Sequence, residues 1–213
     1  PFKHLSGCGV AFKLAQGIQR KAGLPKSILN GVLDLVAIAT IGDIVPLVDE
    51  NRTLTKYGIK MINSGKRPGL NRLIEAAGLT PGKIKSENIA YIIVPHLNAA
   101  GRLLDARIGV ELLTSKDGMK ISEYAAVLLE NNRERKRVQE EAFLKCKEVI
   151  ASELYEDLFY VIAPAGIHEG IAGIVAGKIK DEFGRPAILV TESGEGCLKG
   201  TGRCIKNLNL YDL

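Results

Sequence analysis

The spacing of apolar positions changes character near Ser122. Before it, apolar clusters are short and separated by Gly and Pro, the pattern of several short helices. Residues 29–41 form an apolar stretch preceded by Ser27, which can cap a helix. Its length and Ala content favour a buried helix over a strand, although periodicity alone does not separate the two. Asp49 or Glu50 can open the next helix, where Leu54, Tyr57, Gly58, Met61 and Ile62 recur at three-to-four spacing and Gly65 closes the run. A shorter helix is predicted over residues 70–77, ended by Gly78.

From residue 122 to about 153 there is neither Gly nor Pro, and Glu, Lys, Arg, Ala and Leu dominate. That predicts one helix roughly 45 Å long at about 1.5 Å per residue. Its ends are apolar, with Ala125, Ala126, Leu128 and Leu129 at the start and Phe143, Cys146, Val149 and Ile150 near the finish, whereas residues 131–141 are almost entirely polar. Such a helix suits a solvent-crossing connector between two domains, and a surface helix of a single domain is the competing reading. Beyond it, residues 158–163 predict a strand, about 170–183 a helix ended by Gly184, and 187–191 a second strand. A third strand is expected over 197–199, interrupted by the glycines of Lys199-Gly200-Thr201-Gly202-Arg203. The alternation predicts an α/β domain still incomplete at residue 213.

Composition narrows the class. The 213 residues are 46% hydrophobic, enough for real cores, and contain no apolar run near the ~20 residues that a membrane helix needs, so a soluble protein is expected. The start, Pro1-Phe2-Lys3-His4, carries neither an initiator Met nor a signal-peptide pattern, and the chain is expected to be an internal piece of a longer protein. Four cysteines without a Cys-x-x-Cys pair fit a reducing cytoplasm, and with only three His no structural zinc site is expected. A net charge of +5 leans mildly toward polyanions. The lack of Trp and an aromatic content of 5% argue against an extended base-stacking platform.

Three segments can carry chemistry. Asp43, in Ile41-Gly42-Asp43-Ile44-Val45-Pro46, presents a carboxylate where a buried element ends. Hard divalent cations take such ligands, but a two-metal site needs several, and a capping or turn aspartate is the competing reading. Pro95-His96-Leu97-Asn98-Ala99-Ala100-Gly101-Arg102 gathers an imidazole, an amide and a guanidinium among small residues. Arg102 can grip a phosphate through two nitrogens, or pair with Asp105 or Glu111 instead. His168, in Gly166-Ile167-His168-Glu169-Gly170, lies between a strand and a helix, where unpaired amides can receive a phosphate and the imidazole can add a donor. Around Gly200 and Gly202, Lys199, Arg203 and Lys206 can meet a nucleic-acid backbone, or the segment can be a simple β-bulge.

Six stretches in register, 5–14, 34–52, 95–113, 131–136, 168–177 and 199–204, resemble the RecJ branch of the DHH phosphoesterase superfamily. The resemblance implies an α/β chain with the C-terminal part of a DHH catalytic domain over 1–118, a connector helix over 119–153, and the start of a DHH-associated substrate-binding domain over 154–213. It implies Asp43 as a ligand to Mn²⁺ or Mg²⁺ and a catalytic role for Asp43 and His168. Contacts to the substrate would come from His96, Asn98, Arg102, Gly200, Thr201, Gly202 and Arg203. The activity implied is 5′-to-3′ hydrolysis of single-stranded DNA in repair and recombination, with single-stranded DNA as partner. Alternatives are a DHH phosphodiesterase for cyclic dinucleotides or short oligonucleotides, and a non-catalytic relative that binds DNA or a protein.

The Asp-x-Asp and Asp-His-His motifs that give this superfamily most of its metal ligands do not occur in these residues, so the chain alone is expected to be inactive. A Gly-Gly-His segment is also missing after Gly200-Thr201-Gly202-Arg203. His96 stands where Arg is usual, Ile167 where Trp is common, and Thr201 and Cys204 where Ser is common. Replacing Arg by His removes a permanent charge and a fork of donors, which predicts a weaker or pH-dependent phosphate contact at residue 96.

Overall fold

A computed structural model describes residues 2–103, 105–193, 196–206 and 208–210, the side chains of 102 and 103 excepted. The chain forms two compact units, residues 1–132 and 133–213. Among the described residues no helix is long and apolar enough to cross a membrane.

The first unit is helical. Helix α1 (Gly7–Lys21) begins where the Ser6 hydroxyl accepts a hydrogen bond from the Gly9 amide at 3.1 Å. The single helix expected over 29–41 is divided. Lys26–Val32 is a 3-10 segment, and only Leu33–Gly42 is α-helical (α2), with Val32 rather than Ser27 at its cap. Nearly every residue from Val36 to Ile41 is buried, so α2 is the unit's central rod. Helix α3 (Asp49–Asn63) packs on α2. A Cβ at Gly58 would lie 2.3 Å from the Leu33 carbonyl oxygen, so glycine is required for the helices to approach this closely. Its buried face is Asn51, Thr55, Gly58 and Ile62, while Tyr57 is exposed.

Helix α4 (Pro68–Ala76) carries Pro at its first position, as expected of a residue lacking an amide donor. The short turn α5 (Ser86–Asn88) continues through a π-helical turn, Ile89–Ile93, into α6 (Val94–Leu103). Helix α7 (Arg107–Thr114) follows. Leu70, Leu73, Ile74, Ile89, Ile93, Leu112 and Leu128 form the centre of the core.

Helix α8 (Gly118–Val149) starts four residues before the predicted position. The unit boundary falls within it, between Asn132 and Arg133. Its polar middle is not solvated all round: Asn132 is 3% exposed. Arg137 is exposed and pairs within the helix with Glu134 at 2.6 Å and Glu141 at 2.5 Å.

The second unit contains the end of α8, a π-helical turn at Ile150–Leu154, and a βαβ unit with one further strand. Strands β1 (Tyr160–Ile162) and β2 (Ala187–Ser193) are parallel, joined by α9 (Glu169–Phe183), which ends at Gly184 with φ of 64°. Strand β3 (Cys197–Arg203) returns antiparallel to β2, giving the order β1-β2-β3. The expected interruption at Gly200 and Gly202 does not occur. Pairing runs one to one from Ala187↔Arg203 to Ser193↔Cys197, which also excludes the bulge. Glycine lacks a β-carbon but keeps its ladder amide, so it thins the strand without breaking it. Tyr160, Ile162, Leu189, Ile171, Val175 and Ile179 fill the core. Burial pushes the Cys146 thiol up to about 11, so the group behaves as a core hydrophobe.

Candidate functional site

Helix α2 delivers Asp43. As the residue capping the helix C-terminus, it donates its amide to Ala39 at 2.9 Å. Its carboxylate is exposed and has no hydrogen-bond or ion-pair partner among the described residues. Ile44 and Asp49 bracket the following loop with φ of 55° and 43°. Positive φ is rare for any residue with a side chain and most costly for a β-branched one such as Ile44, so surrounding contacts must hold the loop.

Asn51, fully buried at the start of α3, supplies them. Its amide nitrogen donates to the carbonyls of His4 at 2.6 Å and Pro46 at 2.9 Å. Those bonds use both of its hydrogens, while its carbonyl oxygen is buried without a partner. Lys13 and Glu50 tie α1 to α3 at 3.1 Å, and the Ser6 and Thr40 hydroxyls lie 3.4 Å apart. Cys8 is close enough to feel the same charges: burial first, then the Asp43 and Asp34 carboxylates, raises its thiol above the ordinary range.

Helix α6 brings the second set. A Cβ on Gly42 would touch Val94 at 3.1 Å, so the end of α2, where Asp43 follows, abuts the beginning of α6, the helix that carries His96 and Asn98. His96 is half-buried and donates from Nδ1 to the Ile92 carbonyl at 2.7 Å. Asn98 is exposed on the outer face. Arg102 lies one turn further along that face, and the grip expected of its side chain lies outside the described residues. The alternative partners are otherwise engaged, Asp105 with Arg107 at 3.6 Å and Glu111 with the Tyr124 hydroxyl.

In the second unit, His168 caps α9. Its Nδ1 accepts from the Gly170 amide at 3.0 Å, which corrects the expectation that this amide is open to a phosphate. A ring nitrogen that accepts carries no proton, so the donor the neutral imidazole retains is Nε2–H. The loop from Ala163 to His168 and the β2 residues Val190, Thr191 and Glu192 line a cavity of about 430 Å³.

Along β3, alternate residues face α9. Lys199 pairs with Glu169 at 3.1 Å, while Thr201 and Arg203 lie over Gly173, where a Cβ would fall 2.9 Å from an Arg203 terminal nitrogen. On the opposite face, Gly200 and Gly202 leave room for Ile188, and Gly202 also for Leu210. The predicted residues thus fall on two units, Asp43, His96 and Asn98 on α2 and α6 of the first, and His168 and residues 199–203 on α9 and β3 of the second.

Among the described residues no group of three or more His, Cys, Asp or Glu is arranged to hold a metal ion. Asp34, at the other end of α2 from Asp43, is 5% exposed and held by Arg67, with contacts of 2.5 and 3.0 Å. An unpaired, exposed carboxylate suits one ligand position of a hard cation, but the residues present do not complete a coordination shell. Sequence reasoning passed over Cys8, Asn51 and the Lys199–Glu169 pair. Only Ser6, three residues before Gly9, marked a cap that would have placed Cys8.

These features define a mixed α/β chain in which a helical unit carrying an exposed metal-type carboxylate precedes a βαβ unit with a His-capped helix. No family model matches it. The chain is 38% identical over all 213 residues to the single-stranded-DNA-specific exonuclease RecJ of Bacillus subtilis, of which it covers 26%. It superposes with a TM-score of 0.85 and 31% identity on RecJ of Thermus thermophilus in complex with Mg²⁺, over 97% of this chain and 31% of that one. A structure of exonuclease RecJ bound to manganese matches with a TM-score of 0.83 and 31% identity, over 99% of this chain and 52% of that one. Over its whole length the chain is a RecJ-like region, spanning between 26% and 39% of the curated relatives it matches first.

Proposed function

We propose that this chain is part of a cytoplasmic, metal-dependent phosphodiesterase that removes nucleotides from the 5′ end of single-stranded DNA in repair and recombination. The observation that carries the reading is similarity to RecJ exonucleases over the whole of this chain, together with the exposed carboxylate of Asp43 at the end of α2, where that helix abuts α6. A bound Mn²⁺ or Mg²⁺ would supply charge neutralisation at the scissile phosphate, with Asp43 as one ligand. This chain's own contribution is binding and orientation. The Asn98 amide can donate to a phosphate oxygen, as can Arg102, and His96 contributes an imidazole where a guanidinium would bind more firmly. From the second unit, the Nε2–H of His168 and the backbone and side chains of Gly200, Thr201, Gly202 and Arg203 meet the strand, the glycines allowing close approach. Residues 119–153 act as the connector between the two parts.

The 213-residue chain by itself is expected not to cleave DNA, because Asp43 alone cannot hold the metal ions. The test measures Mn²⁺-dependent release of nucleotides from 5′-labelled single strands by this chain and by the intact protein carrying it. The chain alone should be inactive, and Asp43→Ala should reduce the intact protein's turnover at least ~10²-fold, the scale for losing a positioned catalytic group. Unchanged turnover removes Asp43 from the site. Hydrolysis confined to dinucleotides redirects the reading to short substrates.

A further inference from the structure

We infer that Tyr91, with Ile44 in the same cleft, forms a receptor for one nucleobase beside Asp43, an inference that rests on the single-stranded-DNA reading above. Tyr91 is 79% exposed and has no hydrogen bond, ring contact or cation over its face among the described residues. In a chain with no Trp and 5% aromatics, an unpaired aromatic held out to solvent calls for a reason.

Three features of its setting supply one. Tyr91 sits in the π-helical turn Ile89–Ile93, whose ends Ile89 and Ile93 are fully buried, so the widened turn anchors itself in the core while presenting the ring outward. Ile44, directly after Asp43, has the costly left-handed conformation and is 89% exposed. Both line one cleft of about 230 Å³ with Ile41, Leu47, Ala90 and Glu87. Strain that brings an isoleucine out of the core and sets it in one cleft with a bare tyrosine points to a planar apolar guest.

The guest's identity follows from position and charge. Tyr91 and Asn98 are seven residues, about two helical turns, apart on the exposed side of one continuous helix, with Arg102 the next turn along. A strand whose phosphate is held at Asn98 therefore passes the cleft. Lys83 and Lys85, both exposed and without an ion pair among the described residues, lead into this helix and favour a polyanion there. Glu87 in the wall disfavours a phosphate inside the cleft itself, leaving the base to enter. Stacking on one ring tolerates any base, as a substrate of varied sequence requires.

The absence of Trp makes the test direct. Tyr91→Trp installs a unique fluorophore, and titration of the chain with a single-stranded oligonucleotide should quench it while affinity holds or improves. Tyr91→Phe should bind as the parent does. Tyr91→Ala should weaken binding about tenfold with an unchanged dependence on salt, because one stack and no phosphate contact is lost. An oligonucleotide of abasic residues should not distinguish Tyr91→Ala from the parent. Circular dichroism of each variant checks folding, which so exposed a side chain should not affect. Equal affinity of Tyr91→Ala and the parent, or unquenched Trp emission in a saturated complex, overturns the inference alone. Failure of the parent itself to bind any single strand overturns the DNA reading and this inference with it.

Discussion

The two units hold their candidate residues by different means. In the first, regular backbone hydrogen bonding ends at Asp43, and the loop beyond it bends through two left-handed residues. That loop is held by Asn51, which reaches His4 and Pro46, and the opposite end of α2 is held by Arg67, which reaches Asp34, Gly31 and Leu113. In the second, residues 199–203 belong to a strand paired without a break over seven residues, and side chains only refine what the ladder fixes. A clamped loop can be displaced by losing one polar group, whereas a ladder distributes the load. The first unit should therefore be sensitive to single polar deletions and to any atom added where helices touch, and the second should tolerate both.

The sharpest challenge is Arg67→Ala. Arg67 and Asp34 have 18% and 7% of their side chains exposed, and Arg67 also donates to the Leu113 and Gly31 carbonyls at 2.8 and 2.9 Å. Removing it leaves a buried carboxylate without its counter-charge, held only by the Leu35 amide, and takes a donor from two carbonyls, which should cost the first unit about 3 kcal/mol or more in urea unfolding. Arg203→Ala, by contrast, removes an exposed contact to its own neighbour Gly202 and should shift the second unit's transition by less than about 1 kcal/mol. Comparable losses at both positions would dissolve the distinction.

Glycines extend it. A Cβ at Gly69 would lie 1.7 Å from the Leu112 carbonyl oxygen, a backbone atom that can move only with its helix. Gly69→Ala should therefore destabilise by roughly 2 to 3 kcal/mol, although Ala is the better helix former by about 1 kcal/mol. At Gly173 the nearest atom, at 2.9 Å, is the tip of the Arg203 side chain, which can swing away. Gly173→Ala should be nearly neutral in stability, within about 0.5 kcal/mol, because the propensity gain offsets the displacement. Thermal melts of the two variants side by side decide the matter.

The same contrast explains what the sequence disclosed. Helix α9, its Gly184 stop and β2 were legible because local propensity, spacing and termination agree there. Helix α3 was legible as an element and in part of its orientation. Gly58 and Ile62 of the expected stripe are buried, but Tyr57 is exposed and Asn51 and Thr55 are buried instead, because a buried polar clamp looks like surface until its partners are known. Residues 29–41 are mostly apolar, so their spacing did not report the change from 3-10 to α at Val32 and Leu33, although Asn30-Gly31 is a turn signal. Glycines in β3 suggested a break because their isolated preference is weak, and cross-strand pairing overrode it. For the site, Asp43, His96 and Asn98 were chosen from residue type and resemblance. That α2 and α6 meet at Gly42 and Val94 is long-range information that no window of sequence contains.

The last expected effect is at His168, where a residue singled out for chemistry also caps a helix. Because its Nδ1 receives the Gly170 amide, His168→Ala should cost the second unit about 1 kcal/mol, the usual worth of a helix N-cap. His168→Asn should recover most of that, since asparagine is among the best N-caps, while removing the imidazole. The pair of variants thus separates two roles that Ala alone confounds. In the intact protein, single-turnover cleavage that returns with the cap in His168→Asn makes the residue a structural terminator of α9. Stability restored without cleavage places the remaining Nε2–H against the substrate, and the second unit then acts through a side chain that its regular backbone merely presents.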